Sequence, residues 1–357
     1  MINMMRSYQR VIAFFFGAIL VTVLASACSS LMQSQSPNIQ HLSPDEGRLI
    51  AHAMGETVVP EQPQRVVVLG TVPDVLALGI KPVGVSTLGI AQRDNAGELP
   101  SFLGNQADDI PIVGHTTQPN LEAITQLEPD LILGAKGVHK GIYRQLSQIA
   151  PTVVIDISQG ADAWKQYVRA AANALGKADV ADTLLDEYEQ RIATFQAEMG
   201  VDSSQENRLK NTEVSVVRFR PNVFRAYMQG SFSGAVLAEA GLARSTYQAQ
   251  DKSFENLSVE QIDRIDGDVL FLMQDSTENS ILNQVKESPL WAQLEAVQQG
   301  QVYEVSLESW FLNPGIVGAN LILNDLFRYL VPENDVPEGV PEGDRHVVEQ
   351  VGELTIQ

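Results

Sequence analysis

A single cysteine, Cys28, stands among 357 residues. No intramolecular disulfide can form, and zinc or iron–sulfur sites built from cysteine clusters are excluded. Histidine is also scarce. His41, His52, His115, His139 and His346 are scattered, with no HxH or HExxH spacing, which argues against a preformed histidine site for a bare transition metal. Basic residues are few: 24 Lys and Arg against 44 Asp and Glu give a formal net charge of −20. That balance opposes nucleic-acid binding and adsorption to an anionic membrane as a soluble basic protein. There is no P-loop and no GxGxxG. Gly230-Ser231-Phe232-Ser233-Gly234 has Phe at its centre and is not a nucleophile elbow. An extracytoplasmic α/β hydrolase, the rival from another class, would need such a serine or a metal cluster, and neither is visible.

The chain is long enough for two domains, and its 44% apolar content suffices for a sizeable core. Residues 1–27 carry Arg6 and Arg10, no acid, and a mostly apolar run from Val11 to Leu24. A charged start, a short apolar core and small residues at the end describe an export signal, too short for an ordinary spanning helix. Leu24-Ala25-Ser26-Ala27 before Cys28 resembles a bacterial lipobox. That resemblance implies cleavage before Cys28 and lipid on its thiol; losing the two arginines would take the charge from −20 to −22. Residues 28–56 are polar without a sustained period and are expected to be a tether.

Near mid-chain, Lys177 to Met199 places Val180, Leu184, Leu185, Tyr188, Ile192, Phe195 and Met199 on one stripe, with acids opposite. The steps of three and four predict an amphipathic α-helix, roughly 35 Å long at 1.5 Å per residue. Short apolar runs alternate with helical stretches on both sides of it. An N-terminal lobe is expected over 57–176, the linking helix over 177–200, a C-terminal lobe over 201–331 and an acidic tail over 332–357. The strands include Arg65–Gly70, Leu131–Gly134, Thr152–Ile157, Val214–Arg220 and Val269–Met273. This alternation predicts α/β lobes with mainly parallel sheets.

The lobes repeat each other weakly. Leu121–Leu133 aligns with Val259–Phe271 at an offset of 138 residues, and three of thirteen columns are identical: Glu122/Glu260, Ile124/Ile262 and Asp130/Asp268. Two related lobes face each other across a cleft, the usual place for a small ligand.

Arg218 and Arg220 share one face at the C-terminal end of a strand, where α/β sheets gather ligands. With Arg225 nearby they suit an anion, because planar guanidinium forks match carboxylates. The alternative is that they pair with acids such as Glu213 or Glu239. Lys136, His139 and Lys140, in the loop after another strand end, are candidates to meet the same anion, or are simply solvated. Tyr227, Phe232 and Trp310 are candidate aromatic walls, or core residues. Trp310, in a turn-rich segment before Asn313-Pro314-Gly315, is the stronger wall candidate.

From about Thr57 to Leu330 the chain resembles the solute-binding lipoproteins of iron–siderophore ABC importers. Four segments carry the resemblance: Pro63–Val68; Asn120–Ile124 with Pro129–Ile132; Arg218-Phe219-Arg220-Pro221; and Trp310–Asn320 followed by Leu321–Leu326. It implies two Rossmann-like lobes joined by one long α-helix, as in class III periplasmic binding proteins, with small closure motions. The implied ligand is a ferric siderophore, citrate or hydroxamate type favoured, with heme or cobalamin as the alternative. Iron would be held by the siderophore, so no cofactor and no protein metal ligand is implied. Glu122 and Glu260 match the acids that dock onto the permease. The implied protein is not an enzyme and sits lipid-anchored in the periplasm or on the outer face of the cytoplasmic membrane.

Overall fold

The computed structural model describes residues 47–87, 99–156, 162–200, 208–275 and 281–331. The expected export signal, Cys28 and the acidic tail 332–357 lie outside them. Among the described residues, no helix is long and apolar enough to cross a membrane.

The described chain opens with an antiparallel hairpin, β1 (Gly47–His52) and β2 (Gly55–Pro60). The expected boundary between tether and lobe, at residue 56, is therefore corrected: it falls inside β2, and the lobe begins by Gly47. The hairpin is fastened by polar groups that carry no periodic signal. Arg48 Nη2 donates to Ala174 O at 2.9 Å, and Nη1 to Asn173 O, covering carbonyls left over at a helix end. Ala53 N–H donates to Val154 O at 3.0 Å, and Val154 N–H to His52 Nδ1 at 3.3 Å. The hairpin thereby covers the edge strand that contains Val154.

The N-terminal sheet has six strands in the order β6-β5-β4-β3-β7-β8. They are β3 (Val66–Leu69), β4 (Gly84–Thr87), β5 (Ile112–His115), β6 (Gln118–Pro119), β7 (Leu131–Ala135) and β8 (Thr152–Ile155). All pairs are parallel except β5–β6. Helix α1 (Val72–Ala77) follows β3, α2 (Leu121–Gln126) precedes β7, and α3 (Ala163–Leu175) follows β8. The long helix α4 (Ala178–Gly200) buries Leu184, Leu185, Tyr188, Ile192, Phe195 and Met199 of the stripe read from spacing, while Val180, its first member, is half-buried.

The C-terminal sheet has five strands in the order β11-β10-β9-β12-β13: β9 (Val214–Phe219), β10 (Phe224–Tyr227), β11 (Phe254–Leu257), β12 (Val269–Gln274) and β13 (Val302–Glu304). It is mixed rather than mainly parallel, because β10 runs antiparallel to both β9 and β11. Pro221 does end β9, but the chain turns back at once, and the four residues of β10 are too few to show a period of two. Helix α5 (Phe232–Glu239) follows, and α6 (Ile316–Leu330) closes the described chain.

The repeat holds at every identical column. Ile124 and Ile262 are fully buried. Asp130 accepts from the Gln64 and Arg65 amides at 2.7 and 2.9 Å, and Asp268 from the Glu213 amide at 2.7 Å. Each aspartate satisfies the N–H groups just before β3 or β9, the strand beside its own. Glu122 and Glu260 are exposed in the first turn of their helices, which favours an acid.

The lobes share one core. Helix α6 is buried except at Arg328 and Tyr329. Phe327 meets Phe195 of α4 edge-on at 5.4 Å, while Tyr188 of α4 meets Trp164 of α3 at 5.1 Å. Arg191 of α4 donates to Asn320 Oδ1 and Asn324 Oδ1 on α6. Lys165 of α3 lies 3.3 Å from Glu239 of α5. Asp74 of α1 reaches from the N-terminal lobe to the start of α6, where Oδ1 accepts from the Val317 amide at 3.3 Å. A Cβ at Gly315 would fall 1.8 Å from this carboxylate, so only glycine leaves the space.

Asp74 is fully buried, and desolvation pushes its carboxyl up to about 7 although the Val317 and Ile316 amides pull it down. The folded form keeps this proton up to about pH 7, whereas the unfolded carboxyl loses it near 3.8. Its contribution to stability is full below the lower value and is lost as pH rises through the upper one. At about 1.4 kcal/mol per pKa unit, the swing is about 4 kcal/mol. Asp74→Asn should flatten this part of the stability profile, measured as the thermal midpoint from about pH 4 to about pH 8.

Candidate functional site

Both sheets turn strand C-terminal ends toward the boundary between the lobes. Asp74, soon after β3, touches Val317. Glu308, soon after β13, accepts from Ser101 N and Oγ at 2.9 and 2.8 Å. In the C-terminal lobe this places the end of β9 and the residue after β12 on the side of that boundary.

The run Val-Ser-Val-Val makes β9 a strand buried along its whole length. Arg218 and Arg220 leave it on one face, as their spacing predicts. Neither pairs with Glu213 or Glu239 as the alternative had it; both meet Asp275, one residue past β12. Asp275 Oδ1 accepts from Arg218 Nε, and Oδ2 accepts from Arg220 Nε at 3.2 Å. Arg218 and Asp275 are each 4% exposed. Asp275 is the residue that sequence reasoning missed. Its one local signal is its position immediately after a buried strand, and its partners lie 55 and 57 residues away.

Arg225 stands directly opposite Arg218 in the antiparallel ladder. Two cations facing each other across strands are destabilising, and the Asp275 carboxylate on Arg218 is the counter-charge that the fold supplies to this pair. Arg225 donates from Nε to Asn256 Oδ1 at 2.9 Å and lies 4.1 Å over the Phe254 ring. Arg218 lies 4.6 Å over the Phe311 ring. Burial lowers the Arg218 pKa, but the bond to Asp275 and the nearby Tyr227 hydroxyl override it and leave the value raised. Burial pushes the Tyr227 hydroxyl up, while the arginines at 218 and 225 oppose that shift.

Three expected roles change. Tyr227 is not an open wall: it is 2% exposed, with its hydroxyl beside the arginines. Trp310 is 1% exposed, packs 4.7 Å from Phe271 and donates from Nε1 to Asp325 at 2.8 Å. It is a core pillar with a satisfied N–H, and the aromatic that faces Arg218 is its neighbour Phe311. His139 is not a mobile cation: it is fully buried, with Nδ1 accepting from the Ala135 amide at 2.9 Å and Nε2 donating to Thr116 O at 2.8 Å. Burial lowers its pKa against those two backbone bonds, and it ties the end of β7 to the segment after β5. Lys136 remains a partly exposed cation at the end of β7, 2.7 Å from Asp156 after β8. Lys140 is exposed. Phe232 is half-buried against Trp164.

Ser231 is engaged as the cap of α5, its Oγ accepting from the Gly234 amide at 3.0 Å and donating to Met228 O at 2.6 Å. Among the described residues no cluster of three or more His, Cys, Asp or Glu side chains could hold a metal ion. A cavity of about 420 Å³ opens elsewhere, lined by Glu213, Asp263, Asp266, Asp268, Glu295 and Arg264 among others. Its acids repel an anion, and it lies at the strand ends remote from Arg220.

The chain belongs to the periplasmic binding protein family, whose profile its residues 66–306 match. Its two lobes joined by α4 have the class III arrangement. Over 337 residues it is 34% identical to the probable siderophore-binding lipoprotein YfiY of Bacillus subtilis (strain 168), covering 90% of this chain and 98% of that protein. It is 35% identical over 280 residues to the achromobactin-binding periplasmic protein of Dickeya dadantii (strain 3937), covering 74% and 86%. The crystal structure of Staphylococcus aureus SirA complexed with staphyloferrin B superposes with a TM-score of 0.68 at 30% identity, covering 79% of this chain and 98% of that one.

Removing the His139 ring takes the partner from the part-buried Ala135 amide and from the buried Thr116 carbonyl. His139→Ala should lower stability by about 2–3 kcal/mol in urea unfolding.

Proposed function

We propose that this protein captures a ferric siderophore outside the cytoplasm and delivers it to an ABC importer. The observation that carries this reading is the C-terminal lobe's cationic cluster: Arg218 and Arg225 opposite each other in the sheet and Arg220 just past the end of β9, with Asp275 as the carboxylate partner of Arg218 and Arg220. In a chain of net charge −20, that island selects an anion. Guanidinium forks match the carboxylates of a citrate-type chelate, and Phe311 and Phe254 supply apolar surface for its backbone. Lys136 is the proposed contribution of the N-terminal lobe. The names of the similar proteins, siderophore-binding and achromobactin-binding, support the same ligand class. Iron enters as cargo, wrapped by its chelator.

Exposed Glu122 and Glu260, related by the internal repeat, are proposed as the two points that dock onto cationic residues of the permease. Lipid on Cys28 is proposed as the anchor.

Fluorescence titration with a ferric citrate-hydroxamate chelate, a ferric catecholate, hemin and cobalamin tests the ligand class. Tight binding of a ferric siderophore is expected, with Arg218→Ala and Arg220→Ala weaker by at least ~30-fold. Binding of hemin or cobalamin alone would overturn the substrate, and binding of none would overturn the reading. For docking, reversing both glutamates (Glu122→Arg with Glu260→Arg) should abolish uptake by cells while leaving affinity within about twofold of wild type; unchanged uptake would refute the docking role.

A further inference from the structure

All three arginines of the cluster are held by the same atom. Asp275 takes Nε–H of both Arg218 and Arg220, and Asn256 takes that of Arg225. A guanidinium has five N–H donors and can meet a carboxylate bidentately through its Nε edge or through the pair of terminal nitrogens. Occupying Nε leaves the terminal pair as the fork available to a ligand. Among the described residues, the side-chain hydrogen bonds of Arg218 and Arg220 go to Asp275. Asp275 itself is fixed by the sheet: its amide donates to Phe219 O at 3.1 Å, and this backbone bond joins the ends of β9 and β12. Its two oxygens are divided between the two arginines, so one buried carboxylate sets the spacing and rotation of both forks.

Resting on the siderophore reading above, we propose that Asp275 is a positioning residue that presets Arg218 and Arg220 as paired forks for two carboxylates of one ligand. The alternative role, a plain counter-charge, makes the opposite forecast. A counter-charge competes with the ligand, so deleting it would leave the cluster more positive and bind an anion more tightly. A positioning group holds two mutually repelling cations in register, so deleting it splays the forks and weakens binding although the site gains positive charge.

The experiment uses Asp275→Asn, nearly isosteric and uncharged, beside Asp275→Ala and the wild type. In the ligand-free protein, the side-chain Nε–H resonances of Arg218 and Arg220 should be slowly exchanging and shifted in the wild type. They should move to values of solvent-exposed arginines in both variants. Titrated with a ferric citrate-type chelate, Asp275→Asn should bind about tenfold more weakly than wild type and Asp275→Ala more weakly still, with the loss smaller for a neutral ferric hydroxamate. Equal or tighter binding of the anionic chelate by Asp275→Asn, or unchanged Nε–H resonances, would overturn the positioning role. A wild type that binds no ferric chelate would instead sink the siderophore reading, while the ligand-free resonances still decide whether Asp275 orders the two arginines.

Discussion

Helix α6 is buried along almost its whole length between elements of both lobes, and the amides at its first turn are met by a carboxylate from the opposite lobe. That contact, Asp74 on Val317, is the constraint on which the arrangement depends. Gly315 leaves room for the carboxylate, and the Trp310–Asp325 hydrogen bond pins the preceding turn to the same helix. Arg191 ties α6 to α4 through Asn320 and Asn324. One hydrophobic core thus runs from Val66 and Leu131 in the first sheet through α4 and α6 to Val216 and Phe271 in the second. Close-packed interiors resist continuous deformation, so the lobes are held at a set separation instead of swinging on a flexible hinge.

A scaffold held this way can carry an arrangement that local energetics disfavour. Arg218 and Arg225 face each other across β9 and β10, and Arg220 adds a third cation a few residues on. Only Asp275 pairs with any of these three by charge among the described residues. Violations of local rules concentrate where a protein does its work, and here the imbalance has the sign needed to attract a carboxylate-bearing chelate. Phe311 and Phe254 under the guanidiniums keep the cations stacked and oriented.

Much of this was legible in the sequence, and the failures have physical causes. The long helix announced itself by an apolar stripe of period 3.6, and the central strands by continuous valine, isoleucine and leucine. The three identical repeat columns each proved to do one job twice: an exposed first-turn acid, a buried isoleucine, and an aspartate receiving the amides of the adjoining strand. Arg218 and Arg220 were readable because a strand's alternation puts them on one face. Asp275 was not, since one acid among 44 is singled out only by packing between strands distant in sequence. Trp310 is a core residue and its neighbour Phe311 faces Arg218 because in the wide π-helical turn Glu308–Leu312 adjacent side chains face different surroundings, and spacing does not say which is inward. His139 lay in a segment read as an open loop, yet two backbone bonds draw it into the core. The opening hairpin stayed hidden because its fastening is polar and non-periodic.

The central claim, that a shared core holds the lobes nearly fixed while the arginine cluster takes its ligand, is tested most directly by an interlobe distance. Cys28 is the sole cysteine, so with Cys28→Ser a pair of spin labels can be placed on cysteines at exposed Ile112 and Leu290, one per lobe. The account expects a single narrow distance distribution that moves by less than ~2 Å when a ferric citrate-type chelate is added. A broad or two-peaked distribution without ligand, or a shift of ~10 Å with it, would mean domain closure about a hinge and would contradict the account.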